Sequence, residues 1–190
     1  MKKIIIAIDS FKGCLTSAEA GKAAEKGIKS INPSCHTSVI PIADGGEGLL
    51  DVLITATKGK YITLSAHGPL MKMTKTHYGL SGNGRTAIIE MAAISGLPLV
   101  PIEQRNPMLT TTFGTGELIK DALNKGCRNF IIGIGGSATN DAGLGMLQAL
   151  GFRFLDKSGH TLGTGGQIME AVANIDTSGI HPALRETHFM

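Results

Sequence analysis

The 190-residue sequence contains no Trp, two Tyr and three Cys, and each of these shortages excludes a class of protein. With aromatic residues at 4%, an aromatic platform for stacking nucleic-acid bases is not expected. The net charge of +3 and the lack of a basic run interleaved with aromatics also argue against a nucleic-acid partner. The scattered cysteines form neither a disulfide framework nor a zinc-binding pattern, so we expect a reducing, cytoplasmic setting.

Long apolar runs are missing as well. No stretch approaches the ~18 apolar residues that a membrane-spanning helix needs, so we expect no membrane partner. Lys2 and Lys3 precede only five apolar residues before Asp9, too few for the apolar region of a signal peptide. No G-x-x-x-x-G-K-[ST] loop occurs, which disfavours a Walker-type nucleotide fold. Hydrophobic residues still make up 42% of the chain, enough for a buried core.

Glycine, in contrast, is abundant, with 26 residues in 190, about twice its usual ~7% share. The glycines cluster in turns, at residues 9–13 (DSFKG), 44–48 (DGGEG), 111–117 (TTFGTGE) and 133–141 (GIGGSATND). Most of these turns follow apolar, strand-like runs, and the one at 111–117 opens a helix-like stretch. Because ligands bind at the carboxyl ends of strands in open α/β folds, and helix N-termini attract anions, we expect an enzyme that handles a nucleotide or a phosphorylated small molecule.

The order of the predicted elements indicates an α/β fold. The first elements alternate between strand and helix, which predicts a parallel, Rossmann- or flavodoxin-like sheet. Short strands separated by turn signals then predict an antiparallel ribbon, after which the α/β order returns. The predicted strands are 3–8, 37–43, 61–64, 73–78, 86–90, 129–134 and 152–155, and the predicted helices are 17–30, 46–57, 116–125 and 140–150.

We place a domain boundary near residue 60. Residues 1–60 are predicted to form part of a Rossmann- or flavodoxin-like α/β domain. Residues 61–190 are predicted to form a second, mixed α/β domain that contains the ribbon and a glycine-rich phosphate turn. The chain stops shortly after a loop-like stretch at 175–182 without a capped end, so we expect it to be truncated at its C-terminus.

The turn at 44–48 places Asp44 and Glu47 one helical turn apart at the start of a predicted helix, where the helix dipole favours acidic groups. One interpretation is structural, with Asp44 as the N-cap and Glu47 as its capping-box partner. The other is functional, with these carboxylates binding Mg²⁺ or removing a proton from a hydroxyl group. Three glycines in five residues exceed what a cap requires, which favours the functional interpretation.

The turn at 9–13 has two comparable interpretations. Lys12 could neutralise a phosphate and Ser10 could donate a hydrogen bond to it, since the end of a first strand is a common ligand position. A plain turn with a solvated lysine is the alternative.

Residues 133–138 fit the dinucleotide fingerprint G-x-G-x-x-A, and Asp156 ends the next predicted strand near the spacing of a ribose-binding acid. This unit alone would predict a nicotinamide-dependent oxidoreductase built on Gly133–Asp156. Asn140 and Asp141 would, however, crowd a pyrophosphate with negative charge unless a cation lay between them. A metal–phosphate site is therefore favoured over a dinucleotide site. A purely structural tight turn remains a further alternative.

The other polar residues carry weaker signals. The hydroxyl groups of residues 110–117 exceed what one helix cap needs, and could hold a phosphate or a carboxylate. Arg85 and Glu90 flank the last ribbon strand, and we expect them on the surface rather than paired across a cleft. The six histidines show no ligand spacing and are also expected on the surface.

Taken in order, the motifs at 9–13, 41–48, 111–117 and 133–141 resemble those of the bacterial glycerate kinase family. The resemblance runs from residue 4 to about residue 185. It implies a two-domain α/β fold and an ATP- and Mg²⁺-dependent kinase that phosphorylates D-glycerate, with the 2-hydroxyl as the more common acceptor and 2-phosphoglycerate as the favoured product. Family members are about twice as long as this chain, so a catalytically incomplete ligand-binding fragment is an alternative.

For such a kinase we expect catalysis by Asp44, Lys12 and Asp141, since phosphoryl transfer depends on positioning and charge neutralisation. Asp44 would accept the hydroxyl proton, Lys12 would stabilise the γ-phosphoryl charge, and Asp141 with Glu47 would hold Mg²⁺; the roles of Asp44 and Asp141 could be exchanged. The predicted cofactor-binding residues are Gly135, Gly136, Ser137, Asn140, Thr115 and Gly116, and the predicted substrate-binding residues are Asp9, Ser10, Gly45 and Gly46. The expected partners are D-glycerate and ATP, and a homo-oligomer stays open.

Overall fold

The computed structural model describes residues 3–11 and 13–190. Lys12 lies outside the described residues, so its predicted catalytic role has no structural description. The chain forms an α/β fold with a small parallel sheet and a larger mixed sheet, as the order of predicted elements indicates.

The first unit consists of β1 (Lys3–Ile8), α1 (Ser17–Ile31) and β2 (His36–Pro41). β1 and β2 pair in parallel, so the predicted β-α-β order is confirmed. The Thr16 side chain accepts a hydrogen bond from the Glu19 N–H, and the Glu19 carboxylate accepts one from the Thr16 N–H. The spacing of these two residues predicts this capping box, which fixes where α1 begins.

The larger sheet combines the antiparallel ribbon with parallel strands. β3, β4 and β5 pair antiparallel, whereas β5, β6 and β9 pair in parallel. The strand order is β3-β4-β5-β6-β9. Their bounds are Lys60–His67 for β3, Met73–Leu80 for β4, Thr86–Glu90 for β5, Asn129–Gly133 for β6 and His188–Phe189 for β9.

Helices cover both faces of this sheet. Successive residues of a strand point to opposite faces, and in β5 Ile89 joins the core cluster of α4, whereas Ile88 packs with Leu50 and Ile54 of α2. α2 therefore packs on the large sheet, whose strands come later in the chain. The domain boundary near residue 60 stays a prediction. The helices are α2 (Leu49–Thr57), α3 (Ala92–Ser95), α4 (Phe113–Asn124) and α5 (Leu144–Ala149).

Two helices begin later than their sequences predict. α2 begins at Leu49 rather than residue 46, and α5 begins at Leu144 rather than residue 140. The preceding residues Gly48 and Gly143 have φ of 90° and 75°. A residue in the left-handed region cannot continue a right-handed helix, so the glycine turns keep irregular backbone where the apolar pattern alone predicts helix.

The strand that follows α5 does not join the large sheet. β7 (Arg153–Leu155) pairs antiparallel with β8 (Asn174–Asp176) instead of lying parallel beside β6. Asp156 accepts hydrogen bonds from the Ser158 and His160 N–H groups of a local turn. A dinucleotide-binding unit needs consecutive parallel strands around its helix, so the structure does not support the nicotinamide alternative.

The remaining regular segments are short 3₁₀ helices, at Leu97–Leu99, Ile102–Gln104, Gly166–Ala171 and Pro182–Glu186. None of the helices in residues 3–11 and 13–190 combines the length and the apolar character needed to cross a membrane.

Candidate functional site

A cavity of about 540 Å³ lies between the β1–β2 unit and the start of α2 on the large sheet. The carboxyl ends of β1, β2 and β5 all reach it, which is where ligands bind in α/β folds. The polar residues that line it include Asp9, Ser10, Thr16, Glu19, Glu47, Asp51, His77 and Glu90.

The loop after β1 forms one wall of the cavity. The Ser10 N–H donates to the Asp9 carboxylate at 2.6 Å. A backbone hydrogen bond of 2.8 Å from the Phe11 N–H to the Leu15 carbonyl closes the loop. The structure therefore places the predicted substrate residues Asp9 and Ser10 on the cavity, and their binding role stays a prediction.

Ser17 holds this wall together, although the sequence offered no signal for it. Its hydroxyl donates to the Ile8 carbonyl at 2.6 Å and accepts from the Ile42 N–H at 3.0 Å. One buried side chain thus joins the ends of β1 and β2 to the first turn of α1. A serine beside a capping threonine looks like an ordinary helix start, so only the fold identifies this contact.

The turn at 44–48 presents its two carboxylates differently. The Asp44 carboxylate accepts the Gly46 N–H at 2.9 Å and is exposed, outside the described lining of the cavity. Glu47 is also exposed and does line the cavity. Gly48 occupies the N-cap position of α2 without a side-chain hydrogen bond, so the interpretation of Asp44 and Glu47 as a capping box is wrong.

Glu90 caps α2 from a distant part of the chain. One oxygen of its carboxylate, Oε2, accepts the N–H groups of Gly48 and Leu50 at 3.2 and 3.3 Å. Glu90 is 9% exposed, so the expected surface location is wrong. Burial raises its pKa, and the nearby charges of Asp51 and Glu47 add to the increase. Its position at the carboxyl end of a parallel strand was the signal that could have identified it.

Two of the predicted glycine motifs touch each other. The Gly135 N–H donates to the Gly45 carbonyl at 3.4 Å. A Cβ atom on Gly133 would lie 2.7 Å from the Gly45 carbonyl oxygen, and one on Gly135 would lie 2.6 Å from Gly46 Cα. Side chains would separate these backbones, so glycine permits the predicted substrate turn and the predicted cofactor turn to meet at the end of β6.

The far side of the second turn faces another cavity, of about 260 Å³, lined by residues 137–139 and by Arg105, Asn106, Pro107, Leu97 and Val100. The Ser137 hydroxyl accepts the Thr139 N–H at 3.0 Å, which holds the turn in shape. Gly136 has a φ of 72° and Asn140 is exposed. Ser137 of the predicted phosphate turn therefore shares this cavity with Arg105, whose Nε–H donates to the Val100 carbonyl at 3.2 Å.

Asp141 is 1% exposed and surrounded by hydrogen-bond donors. The backbone N–H groups of Thr112, Gly143 and Gly145 donate to it at 2.8, 3.0 and 3.2 Å. The hydroxyls of Thr111 and Thr112 also donate to it. Asp141 thus joins the threonine-rich loop to the start of α5, and its catalytic and metal-binding roles stay predictions.

The structure also gives Thr115 and Gly116 internal contacts. The Thr115 hydroxyl lies 2.8 Å from that of Ser95, and both residues are fully buried. A Cβ atom on Gly116 would lie 2.2 Å from the Met146 carbonyl oxygen, so glycine permits α4 and α5 to pack closely. Cofactor binding by these two residues stays a prediction. Across the described chain, no group of three or more His, Cys, Asp or Glu side chains is arranged to hold a metal ion.

Comparison with known proteins links these turns to one family. Residues 4–190 match the family model described as the glycerate kinase family. The chain is 54% identical over 183 residues to a glycerate kinase of Bacillus subtilis strain 168, covering 96% of this chain and 48% of that protein. It is 49% identical over 184 residues to a glycerate 2-kinase of Escherichia coli K12, covering 97% of this chain and 48% of that protein.

A solved structure supports the same relationship. The chain matches the crystal structure of a candidate glycerate kinase 2 from Salmonella typhimurium LT2 with a TM-score of 0.87 and 47% identity, covering 99% of this chain and 50% of the other. The chain spans about half the length of the curated relatives it matches. Because the match extends over almost every described residue, including all the glycine turns, the chain belongs to the glycerate kinase family.

Proposed function

We propose that this chain carries the substrate and phosphate sites of a kinase that transfers a phosphoryl group from ATP to D-glycerate. The observation that carries this proposal is the contact between the turns at 44–48 and 133–136 beside the 540 Å³ cavity. It brings carboxylates next to glycine-rich backbone at the carboxyl ends of strands, an arrangement suited to a phosphate ester and a hydroxyl acceptor. The name of the Escherichia coli relative, a glycerate 2-kinase, favours the 2-hydroxyl as the acceptor and 2-phosphoglycerate as the product.

D-Glycerate would bind at the cavity, where Asp9 and Ser10 are lining residues and where Gly45 and Gly46 directly precede the lining residue Glu47. Ser10 lines the cavity, and its hydroxyl provides a neutral hydrogen-bonding group for the substrate. Gly45 has a φ of 94° and open space where a side chain would lie, so a ligand can approach its backbone closely. Lys12, in the same loop, is the proposed partner of the transferred phosphoryl group.

The nucleotide phosphates would lie on the turn formed by Gly135, Gly136 and Ser137. Arg105 lines the adjoining cavity and supplies positive charge beside that turn, and the exposed Asn140 could contact the nucleotide. In this assignment, Thr115 and Gly116 support the site through the packing of α4, because both are buried.

Asp44 is the proposed general base, because it is exposed beside the substrate turn and could accept the proton of the hydroxyl group. Mg²⁺ would be held by Glu47, whose exposed carboxylate is on the cavity. Asp141 is the second proposed ligand, and it would have to exchange hydrogen bonds for the metal. When bound, ATP supplies the phosphoryl group and Mg²⁺ neutralises phosphate charge.

The proposal is tested by coupled ADP release with D-glycerate and Mg·ATP. The assay compares this chain with the same chain fused to the part of the Bacillus subtilis relative that it does not match. Turnover by either protein supports the proposal, and turnover by the fusion alone means that residues 1–190 are catalytically incomplete. No turnover by either protein contradicts it.

The assignment of the base is tested in whichever protein turns over. Asp44→Asn should lower kcat by about 10²–10⁴-fold, as loss of a general base usually does. Asp156→Asn is the matched control, because Asp156 lies in a turn between β7 and β8 and should leave kcat unchanged. An Asp44→Asn variant with nearly unchanged kcat would remove Asp44 from the mechanism.

A further inference from the structure

Glu90 reaches the 540 Å³ cavity from the end of β5, and its two carboxylate oxygens have different surroundings. Oε2 accepts the Gly48 and Leu50 N–H groups. Within the described part of the chain, no group donates a hydrogen bond to Oε1. Oε1 is also not among the fully buried side-chain atoms that lack a partner, so it keeps some accessible surface. Glu90 lines the cavity and is otherwise buried.

The cavity favours a particular kind of ligand group beside Glu90. The carboxylates that line it are Asp9, Glu19, Glu47, Asp51 and Glu90. Like charges repel strongly where water is partly excluded, so an anionic end of a ligand is disfavoured next to Glu90. A neutral hydrogen-bond donor such as an alcohol is favoured there.

A buried carboxylate with one oxygen lacking a donor is incompletely compensated. The raised pKa of Glu90, caused chiefly by burial, reflects the cost of its charge in this position. A hydroxyl that donates to Oε1 would form a charge-assisted hydrogen bond and offset part of that cost.

We propose that Glu90 is a substrate-binding residue whose Oε1 faces the cavity and accepts a hydrogen bond from one hydroxyl group of the hydroxy-acid substrate. This inference rests on the proposed function, since it takes D-glycerate as the ligand of the cavity. Glu90 thereby has two tasks: Oε2 holds the first turn of α2, and Oε1 selects ligands that carry a hydroxyl at the right position.

The substitution Glu90→Gln separates these two tasks. Its carbonyl oxygen can still accept from the Gly48 and Leu50 N–H groups, and these donors orient the amide so that its NH₂ group faces the cavity. The cap of α2 should therefore be retained, while the acceptor that we propose to face the cavity becomes a donor. Glu186→Gln is the matched control, because Glu186 is exposed and lies in a 3₁₀ helix outside the described lining of the cavity.

The experiment measures binding to the 190-residue chain by isothermal titration calorimetry. The ligands are D-glycerate, lactate, which lacks the 3-hydroxyl, and 3-hydroxypropionate, which lacks the 2-hydroxyl. Glu90→Gln should weaken D-glycerate binding by about tenfold or more, the usual effect of losing a hydrogen bond to a charged group. One of the two deoxy ligands should bind the wild-type and Glu90→Gln chains equally, because it lacks the hydroxyl that Glu90 contacts. Glu186→Gln should bind all ligands like the wild type.

Several results would overturn the inference. Unchanged D-glycerate binding by Glu90→Gln removes Glu90 from the site but leaves the proposed function intact. An equal loss for all three ligands assigns Glu90 a purely structural role. A wild-type chain that binds no D-glycerate at millimolar concentration contradicts both the inference and the presence of a complete substrate site in this chain.

A second measurement uses only the wild-type chain, so it does not depend on whether a Glu90 variant folds. In the wild-type chain carrying ¹³C-labelled glutamate, the Glu90 carboxyl signal should shift on saturation with D-glycerate. The shift should be absent with the deoxy ligand that binds the wild-type and Glu90→Gln chains equally. A Glu90 signal that does not respond to saturating D-glycerate would also overturn the inference.

Discussion

β1 and β5 are similar in sequence but differ in their surroundings. Both are short and rich in isoleucine, yet Ile5 of β1 is 59% exposed whereas Ile89 of β5 is 0% exposed. β5 lies in a sheet with α2 on one face and α4 on the other. β1 belongs to a two-stranded sheet with α1 packed against it, and the described residues leave much of its apolar surface uncovered. An apolar run therefore shows that a strand is suited to burial. It does not show that other elements pack against both of its faces.

The largest predicted difference concerns isoleucine truncation in these strands. Ile89→Ala should lower the free energy of unfolding by about 2–5 kcal/mol, because it leaves a cavity in a closed core. Ile5→Ala should lower it by less than about 1 kcal/mol, because much of the Ile5 side chain is already exposed. Urea unfolding of the two variants measures the contrast. Equal losses would mean that β1 is buried in solution.

Replacing glycine with alanine should change the free energy of unfolding in opposite directions in α4, beside the large sheet, and in α1, beside β1. Gly116→Ala in α4 should destabilise by about 1–3 kcal/mol or more, since its Cβ would lie 2.2 Å from the Met146 carbonyl oxygen. Gly27→Ala in α1 should stabilise by about 0.4–1 kcal/mol, because the added methyl meets no atom within 4 Å and restricts the unfolded chain. Thermal unfolding distinguishes them, and a stabilised Gly116→Ala variant would refute the close packing of α4 on α5.

The smallest predicted contrast is a pH dependence of the two helix starts. The Glu19 pKa is lowered by the Thr16 backbone N–H and then by its hydroxyl, so its stabilising effect is present above its unfolded pKa and is lost as the pH falls through the folded pKa. The Glu90 pKa is raised by burial, so the stability linked to its proton is present below its unfolded pKa and is lost as the pH rises through the folded pKa.

Urea unfolding between acidic and neutral pH, compared with Glu19→Gln and Glu90→Gln, measures these slopes. The advantage of the wild type over Glu19→Gln should shrink as the pH falls below 4.5, the ordinary pKa of a glutamate side chain. The free energy of unfolding of the wild type relative to Glu90→Gln should fall as the pH rises above 4.5. Slopes of the same sign for both variants would contradict the contrast between an exposed and a buried helix cap.

Local patterns predicted the elements well where the relevant partners are close in sequence. The Thr16–Glu19 box and the turn-separated strands of the ribbon depend on neighbours a few residues apart. The glycine turns were also identifiable, because their composition departs strongly from an ordinary helix start. The contact between Gly45 and Gly135 brings two of these turns together, although the strands before them, β2 and β6, belong to different sheets.

The sequence was less informative where a partner lies far away along the chain. Glu90 looked like a surface residue, but it caps α2 through groups about 40 residues earlier. The threonines at 110–112 looked like ligand groups, whereas Thr111 and Thr112 donate to Asp141, and the Thr110 hydroxyl donates to the Ala138 carbonyl. A polar side chain has the same local signature whether its partner is a ligand or a distant part of the protein.

The sequence by itself determined the α/β order, the family and the positions of the glycine-rich turns, because periodicity, helix caps and glycine content act over a few residues. Only the tertiary structure decided which carboxylates face a cavity. It buried Asp141 among donors, left Asp44 exposed and turned Glu90 inward. The physical reason is that burial and hydrogen bonding of a carboxylate depend on chain segments that folding brings together from distant positions.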